Sequence, residues 1–174
     1  MYKLGAAFYM MAQGVPFMQA GEEMLRSKPD SKGSYVENSY KSPDKVNSIK
    51  WSLLNLPEYQ DTLNYYRGLI RFRKAHPALR LTSIYEVLSH VVPVYCQHPQ
   101  IGMFHIDGSV PGEIAEEFFL IFSAAETAET VPLPNGKWQV CINGEKAGTD
   151  PIAVVEDSIT IPPISALVLV KKNQ

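Results

Sequence analysis

The sequence is poor in the residues that build metal and redox sites: it has two cysteines, Cys96 and Cys141, and four histidines, His76, His90, His98 and His105. No Cys-x-x-Cys, His-x-His or His-Glu-x-x-His occurs among them, so no protein-built transition-metal site is expected. Two free thiols, buried or half-buried, are the expected state of the cysteines. An excess of one charge is also missing. Sixteen Lys and Arg face eighteen Asp and Glu, without a basic stripe, which argues against a nucleic-acid partner. No apolar run reaches the roughly 20 residues that a membrane-spanning helix needs. Gln13-Gly14 interrupts the apolar start and no small-residue cleavage site follows, so neither a membrane association nor a signal peptide is read here, and the chain is expected to be soluble. The Gly-x-Ser-x-Gly elbow of serine hydrolases is absent, and Asn135-Gly136-Lys137 lacks the glycine-rich run of a phosphate loop. What remains is a chain of 174 residues, 45% hydrophobic and 20% charged, enough for one ordinary domain or two small ones.

The two ends of the chain differ in pattern. Leu4 to Ala12 is almost wholly apolar and rich in helix formers, predicting a buried helix that Gly14 stops. Val15 to Gly21, a short apolar run between glycines, predicts a buried strand. Residues 27–51 carry turn chemistry without periodicity, which is most often a functional loop. A strong helix is predicted from Pro57 to His76, with one stripe at Tyr59, Leu63, Tyr66 and Ile70 and a second at Tyr65, Leu69 and Phe72. Arg71, Arg73, Lys74 and His76 gather at its end, where cations complement the helix dipole. Beyond Ala78, apart from a possible short helix over Thr82 to Ser89, the signal is β. Strands are predicted at 101–106, 118–122, 130–133, 137–143, 158–161 and 166–170, with Asn135-Gly136 and Asn143-Gly144 as tight turns. In the fourth of these, Trp138, Val140 and Ile142 should face a core and Gln139 and Cys141 the outside. The fold class expected is therefore an α+β chain, with an α/β piece over residues 1–80 and an all-β antiparallel sandwich over residues 81–174.

Two groups of side chains offer chemistry. Glu22 and Glu23 are an acidic pair, but adjacent residues in an extended segment point to opposite sides, so capping of backbone amides or pairing with Arg26 is the simpler reading. The 27–51 loop carries Tyr35, Asn38, Tyr40, Asp44, Asn47 and Trp51. Aromatic faces can stack on a sugar ring while Asn and Asp hold its hydroxyls, so the loop suits a carbohydrate.

Several segments also resemble a known family. Gly14-Val15-Pro16-Phe17-Met18-Gln19-Ala20-Gly21-Glu22-Glu23 with Leu25-Arg26-Ser27-Lys28 is similar to the last barrel strand of the type I pullulanases, debranching enzymes of the α-amylase clan, glycoside hydrolase family 13. Asn38-Ser39-Tyr40-Lys41-Ser42-Pro43-Asp44, Val46-Asn47 and Trp51 resemble the loop after that strand, and Leu69 to Ala78 their eighth barrel helix. Lys137 to Val140, Asn143 to Gly148 and Ile164 to Leu169 resemble their C-terminal β-domain.

The resemblance implies the C-terminal portion of a debranching glycoside hydrolase that cleaves α-1,6-glucosidic bonds with retention. Residues 1–80 would be the end of helix 7, strand 8, its loop and helix 8 of a (β/α)8 barrel; residues 81–174 would be the β-sandwich. The three catalytic carboxylates of the family sit on earlier strands, so no catalytic residue is expected in this chain, which alone should be inactive. Asp44, Asn47, Tyr40 and Asn38 are the substrate-binding residues the resemblance implies. It places Asp44 against a glucosyl unit near the cut bond, although Ser48 replaces the arginine that some members carry four residues on. Glu37 keeps the acidic residue usual before Asn-Ser-Tyr, and Gln19 replaces a common histidine. No cofactor is implied, with calcium open for a parent enzyme. The partners implied are an α-glucan and the earlier part of the barrel, with self-association of the chain through Phe8, Phe17, Tyr66 or Ile70. Two alternatives stand beside this: a stand-alone carbohydrate-binding or interaction module, and a fragment of a sister enzyme such as isoamylase.

Overall fold

A computed structural model describes residues 1–172. Packing gathers them into two compact units: residues 1–17 with the chain from Tyr65 onward, and residues 18–64.

The larger unit is built on antiparallel sheet. Strands β1 (Val91–Val94), β2 (Ile101–Asp107), β3 (Ala115–Ser123), β5 (Trp138–Ile142), β6 (Ala153–Val155) and β8 (Ser165–Lys172) form a six-stranded sheet in the order β1-β2-β3-β8-β5-β6. Strands β4 (Glu129–Pro132) and β7 (Ser158–Ile161) form a two-stranded sheet. The register sets the two faces. Phe119 and Ile121 pair with Leu169 and Leu167, and with Trp138, Val140 and Met103 they pack against Val131 and Ile161 of the small sheet. Phe118 and Phe122, on the opposite face, meet helices instead. Phe8 of α1 (Tyr2–Met11) lies edge-on to Phe122, 5.1 Å between ring centroids, and Phe72 of α3 (Pro57–Ala75) lies edge-on to Phe118 at 6.3 Å. The central strands are apolar on both faces because both are covered: β3 is buried at every residue from Phe118 to Ser123.

Most predicted elements form where the pattern places them, and the departures have physical causes. The Val15 to Gly21 run makes no strand; Val15 and Phe17 are 96% and 91% exposed. A strand needs a neighbour to take its N–H and C=O groups, and among the described residues none pairs with this segment. Positive φ at Gly14 and Gly21 turns the chain at both ends instead. Cys141, expected on the outer face of its strand, is buried: the register shifts between Val140 and Ile142, which turns it inward. Burial pushes its thiol up to about 11, and the Sγ lies 4.0 Å from the Thr149 carbonyl; Cys96 is half-buried, and both thiols are free. On α3 the buried stripe runs through Thr62, Tyr65, Tyr66, Leu69, Phe72 and Arg73, so Tyr66 is buried while Ile70 is exposed. The tyrosine is thus no candidate for a self-association surface.

Arg73 and His76 are not solvated helix-end cations either. Arg73 is buried and donates to the carbonyls of Met10, Ala12 and Gly14 at 2.6–2.7 Å, closing the C-terminal end of α1. That helix has no basic side chain in its own last turn, so its free carbonyls are satisfied from α3. His76 is buried against Glu113 at 2.8 Å, whose two oxygens also accept from the amides of Ala78, Ile114 and Ala115. The short helix α4 (Ile84–His90) starts on a capping box between Ser83 and Glu86.

Candidate functional site

The candidate residues all lie in the smaller unit, on a loop braced by its own side chains. Gly21, at φ 89°, turns the chain into a 3-10 turn at Glu22–Met24, and Arg26 folds back over it. A Cβ at Gly21 would sit 2.7 Å from Arg26 Cδ, so glycine is required for space as well as for conformation. Glu23 accepts from the Gly21 amide at 3.0 Å and Glu22 from the Gln19 amide at 3.3 Å. The pair therefore caps backbone donors, and its carboxylates are not arranged for acid–base work.

Arg26 holds two parts of the loop at once. One nitrogen donates to the Ala20 carbonyl at 3.0 Å and another to the Asn47 carbonyl. Lys28 donates to Ser39 Oγ at 2.7 Å. Asn47, which ends the single-turn helix α2 (Asp44–Asn47), spends its side-chain N–H groups on the carbonyls of Ser39 and Ser42, at 2.7 and 2.8 Å. These ties fix residues 39–47 without a sheet or a long helix, in a segment whose composition could supply neither.

The four residues expected to bind substrate fall into two kinds. Asn38, Tyr40 and Asp44 are exposed, and Tyr40 carries Lys41 Nζ 5.4 Å from its ring centroid. Asn47 is half-buried and turned inward, so what it does in this geometry is hold the loop. Ser48 Oγ donates to the Asp44 carbonyl at 2.6 Å, and Lys50 Nζ reaches both that carbonyl, at 3.2 Å, and Ser48 Oγ. Lys50 is thus tied to the backbone of Asp44, two residues past the position that Ser48 occupies. The sequence offered Arg26 as a partner for Glu22 and Glu23 and did not single out Lys28; neither was read as a brace of the loop, because the carbonyl of Asn47 and the hydroxyl of Ser39 come within reach only in the fold.

Among the described residues no group of three or more His, Cys, Asp or Glu could hold a metal ion, and no helix is long and apolar enough to cross a membrane.

No protein-family model matches the sequence. Single proteins do. The chain is 40% identical over 89 residues, 51% of its length, to the pullulanase of Bacillus subtilis, and 36% identical over 84 residues to a Flavobacterium isoamylase. These alignments cover 11% and 10% of the relatives, so the chain spans about a tenth of their length. Among solved structures, the pullulanase of Bacillus acidopullulyticus superposes on 98% of the chain with a TM-score of 0.88 at 29% identity, over 20% of its own length. That of an Anoxybacillus species, solved with maltotetraose, gives 0.84 at 30% identity, again over 98% of the chain and 23% of its own length. In sequence and in fold, therefore, the chain is similar to pullulanases, over a stretch equal to a tenth to a quarter of those enzymes.

Proposed function

We propose that this chain is the C-terminal portion of a starch- or pullulan-debranching glycoside hydrolase whose whole protein hydrolyses α-1,6-glucosidic bonds with retention. On this reading residues 1–80 are the last elements of a (β/α)8 barrel and residues 81–174 its β-sandwich. The observation that carries it is the braced loop, which spends its inward groups on itself and leaves Asn38, Tyr40 and Asp44 turned outward. An aromatic face, an amide and a carboxylate on a fixed backbone are what a glucosyl unit needs: a surface for its apolar face and acceptors for its hydroxyls. Prior fixing by Arg26, Lys28 and Asn47 lowers the ordering cost of binding.

That pullulanases are solved with maltotetraose supports an α-glucan as the ligand. The bond-breaking carboxylates would come from outside this chain, and the loop would contribute positioning. Phe8 and Phe17, 54% and 91% exposed, would on this reading meet the rest of the barrel, and would favour self-association of the chain by itself.

The test is a chimaera in which this chain replaces the matching segment of the Bacillus subtilis pullulanase. Pullulan hydrolysis is expected to survive the exchange, and Asp44→Ala within it should lower kcat/KM by about 1 to 3 kcal/mol of transition-state stabilisation, for lost charge-assisted hydrogen bonds. An active chimaera indifferent to Asp44→Ala would remove that residue from the site.

A further inference from the structure

A second concave surface lies in the larger unit, beside the link between β1 and β2. It is a cleft of about 650 Å³ lined by Tyr95, His98, Met103, Glu129 and Val131 among others, within the roughly 300–1,000 Å³ of small-molecule sites. Its floor is apolar: Ile101, Met103 and Val131 are buried. At its rim Tyr95 is 85% exposed.

The polar groups at the rim are set in a particular way. The Gln100 amide donates to His98 Nδ1 at 3.3 Å, so the neutral ring carries its proton on Nε2. That Nε2 lies 3.8 Å from Glu129 Oε1, beyond hydrogen-bond reach, with both side chains half-buried. The same Glu129 Oε1 accepts from Thr127 Oγ1 at 2.8 Å, which fixes the carboxylate and leaves that oxygen a second lone pair. A donor and an acceptor at this separation suit one kind of atom: an oxygen about 2.8 Å from each that accepts from Nε2–H and donates to Oε1. A hydroxyl does both.

Other ligand classes fit less well. Among the described residues no Lys or Arg lines the cleft, so a phosphate would face the Glu129 carboxylate without a compensating cation. A metal ion would need ligands that do not converge among the described residues. An apolar floor, an exposed aromatic ring and a neutral donor beside an acceptor describe the two sides of a sugar ring. We propose that this cleft binds a glucosyl unit, with His98 and Glu129 bridging one hydroxyl and Tyr95 packing on the ring face. It is built from residues separate from the 38–47 loop, and its ligand class follows from its own lining.

The experiment is a titration of the ¹⁵N-labelled chain with maltotriose, followed by backbone amide shifts. Saturable shifts are expected at residues 95–101 and 129–131. Tyr95→Ala, at an exposed position, should leave the spectrum elsewhere unchanged and weaken binding there by about tenfold, while Tyr95→Phe retains it. Glu129→Ala should weaken it as well, and inorganic phosphate should move nothing in the cleft. Shifts confined to residues 38–47 would overturn this site and leave the loop reading standing. Shifts confined to the cleft would do the opposite. Cleft shifts with the same affinity in Tyr95→Ala would overturn the assignment of that ring.

Discussion

The guanidinium of Arg73 meets three carbonyls at once from two separate nitrogens, a spread that its planar fork of donors supplies and a single ammonium does not. Burial first, and the nearby Arg80 second, lower its pKa from the ordinary arginine value, yet the three acceptors hold it in place. Arg73→Lys is therefore expected to behave as a loss and not as a conservative change, because a compact ammonium cannot span Met10, Ala12 and Gly14 together. About 3 kcal/mol of unfolding free energy should go, from charge-assisted bonds broken and carbonyls left dry; urea denaturation of the variant measures it. The sequence placed this arginine at a helix end, where dipole complementarity explains it without any partner. The partner is another helix's terminus about sixty residues earlier, and one-dimensional periodicity carries no trace of such a pairing. His76 was misjudged for the same reason: Glu113 is nowhere near it in sequence. The exposed candidates fared differently. The exposure of Tyr40 and Asp44 is what turn composition leads one to expect, whereas the inward turn of Asn47 depends on carbonyls that only the folded loop brings within reach.

Helix α3 touches its surroundings closely enough that a glycine in its middle is needed. A Cβ at Gly68 would stand 1.9 Å from the Ala147 carbonyl oxygen, in the turn after β5. Helix propensity favours Gly68→Ala by about 1 kcal/mol, but the clash is with backbone and the turn must move, at a cost of about 1 to 3 kcal/mol or more. The variant should be less stable than the parent by thermal melting; a gain would show that the turn yields freely. Across strands, Glu117 of β3 holds His105 of β2 at 2.6 Å and Lys171 of β8 at 2.7 Å. Burial alone would raise its pKa, but hydrogen bonds from Lys171 and His105, and their charges, outweigh it and leave the carboxyl below its ordinary 4.5. A depressed pKa contributes stability above the unfolded value and loses it as pH falls through the folded one. Lys171 is raised, chiefly by its hydrogen bond to Glu117, so its share is present at neutral pH and fades only above its ordinary 10.5. Glu117→Gln should cost about 1 kcal/mol at pH 7 for this half-exposed network, and the difference should close as pH falls through the lowered folded-state value of the carboxyl. Melting curves across pH 3–8 that stay parallel would show that the network is inert. At this scale the sequence was most informative where an apolar or alternating run is bounded by turn residues: β2, β3, β4, β5, β7 and β8 were all visible. Strand β1, interrupted by Pro93, and β6, of three residues, show no period, and Val15 to Gly21 shows that an apolar run does not make a strand without a neighbour to bond.

The whole chain combines a braced, outward-facing loop with a sheet covered on both faces, and on the function proposed above the groups that break a glucosidic bond would lie outside both. Retaining hydrolysis requires two carboxyl groups about 5 to 5.5 Å apart on either side of the scissile bond, one as nucleophile and one as acid. The loop offers Asp44 and Glu37 as exposed carboxylates on either side of Tyr40, while Glu22 and Glu23 are engaged with the amides of Gln19 and Gly21. Enzymes lower barriers by about 8 to 23 kcal/mol. Contacts from one loop act on bound substrate and transition state alike, which changes affinity and leaves the chemical step where it was. The purified 174-residue chain should therefore release no reducing sugar from pullulan above the buffer rate, at any concentration that saturates the loop. Assaying it beside the chimaera, at equal molar concentration, separates absence of chemistry from absence of folding: the same residues that support turnover when joined to an intact barrel should support only binding here. Sustained sugar release by the chain alone would mean that two carboxylates within these residues can reach one glycosidic oxygen. It would return Glu22, Glu23 and Asp44 to the position of catalytic candidates and undo the division of labour between a loop that positions and a barrel that cuts.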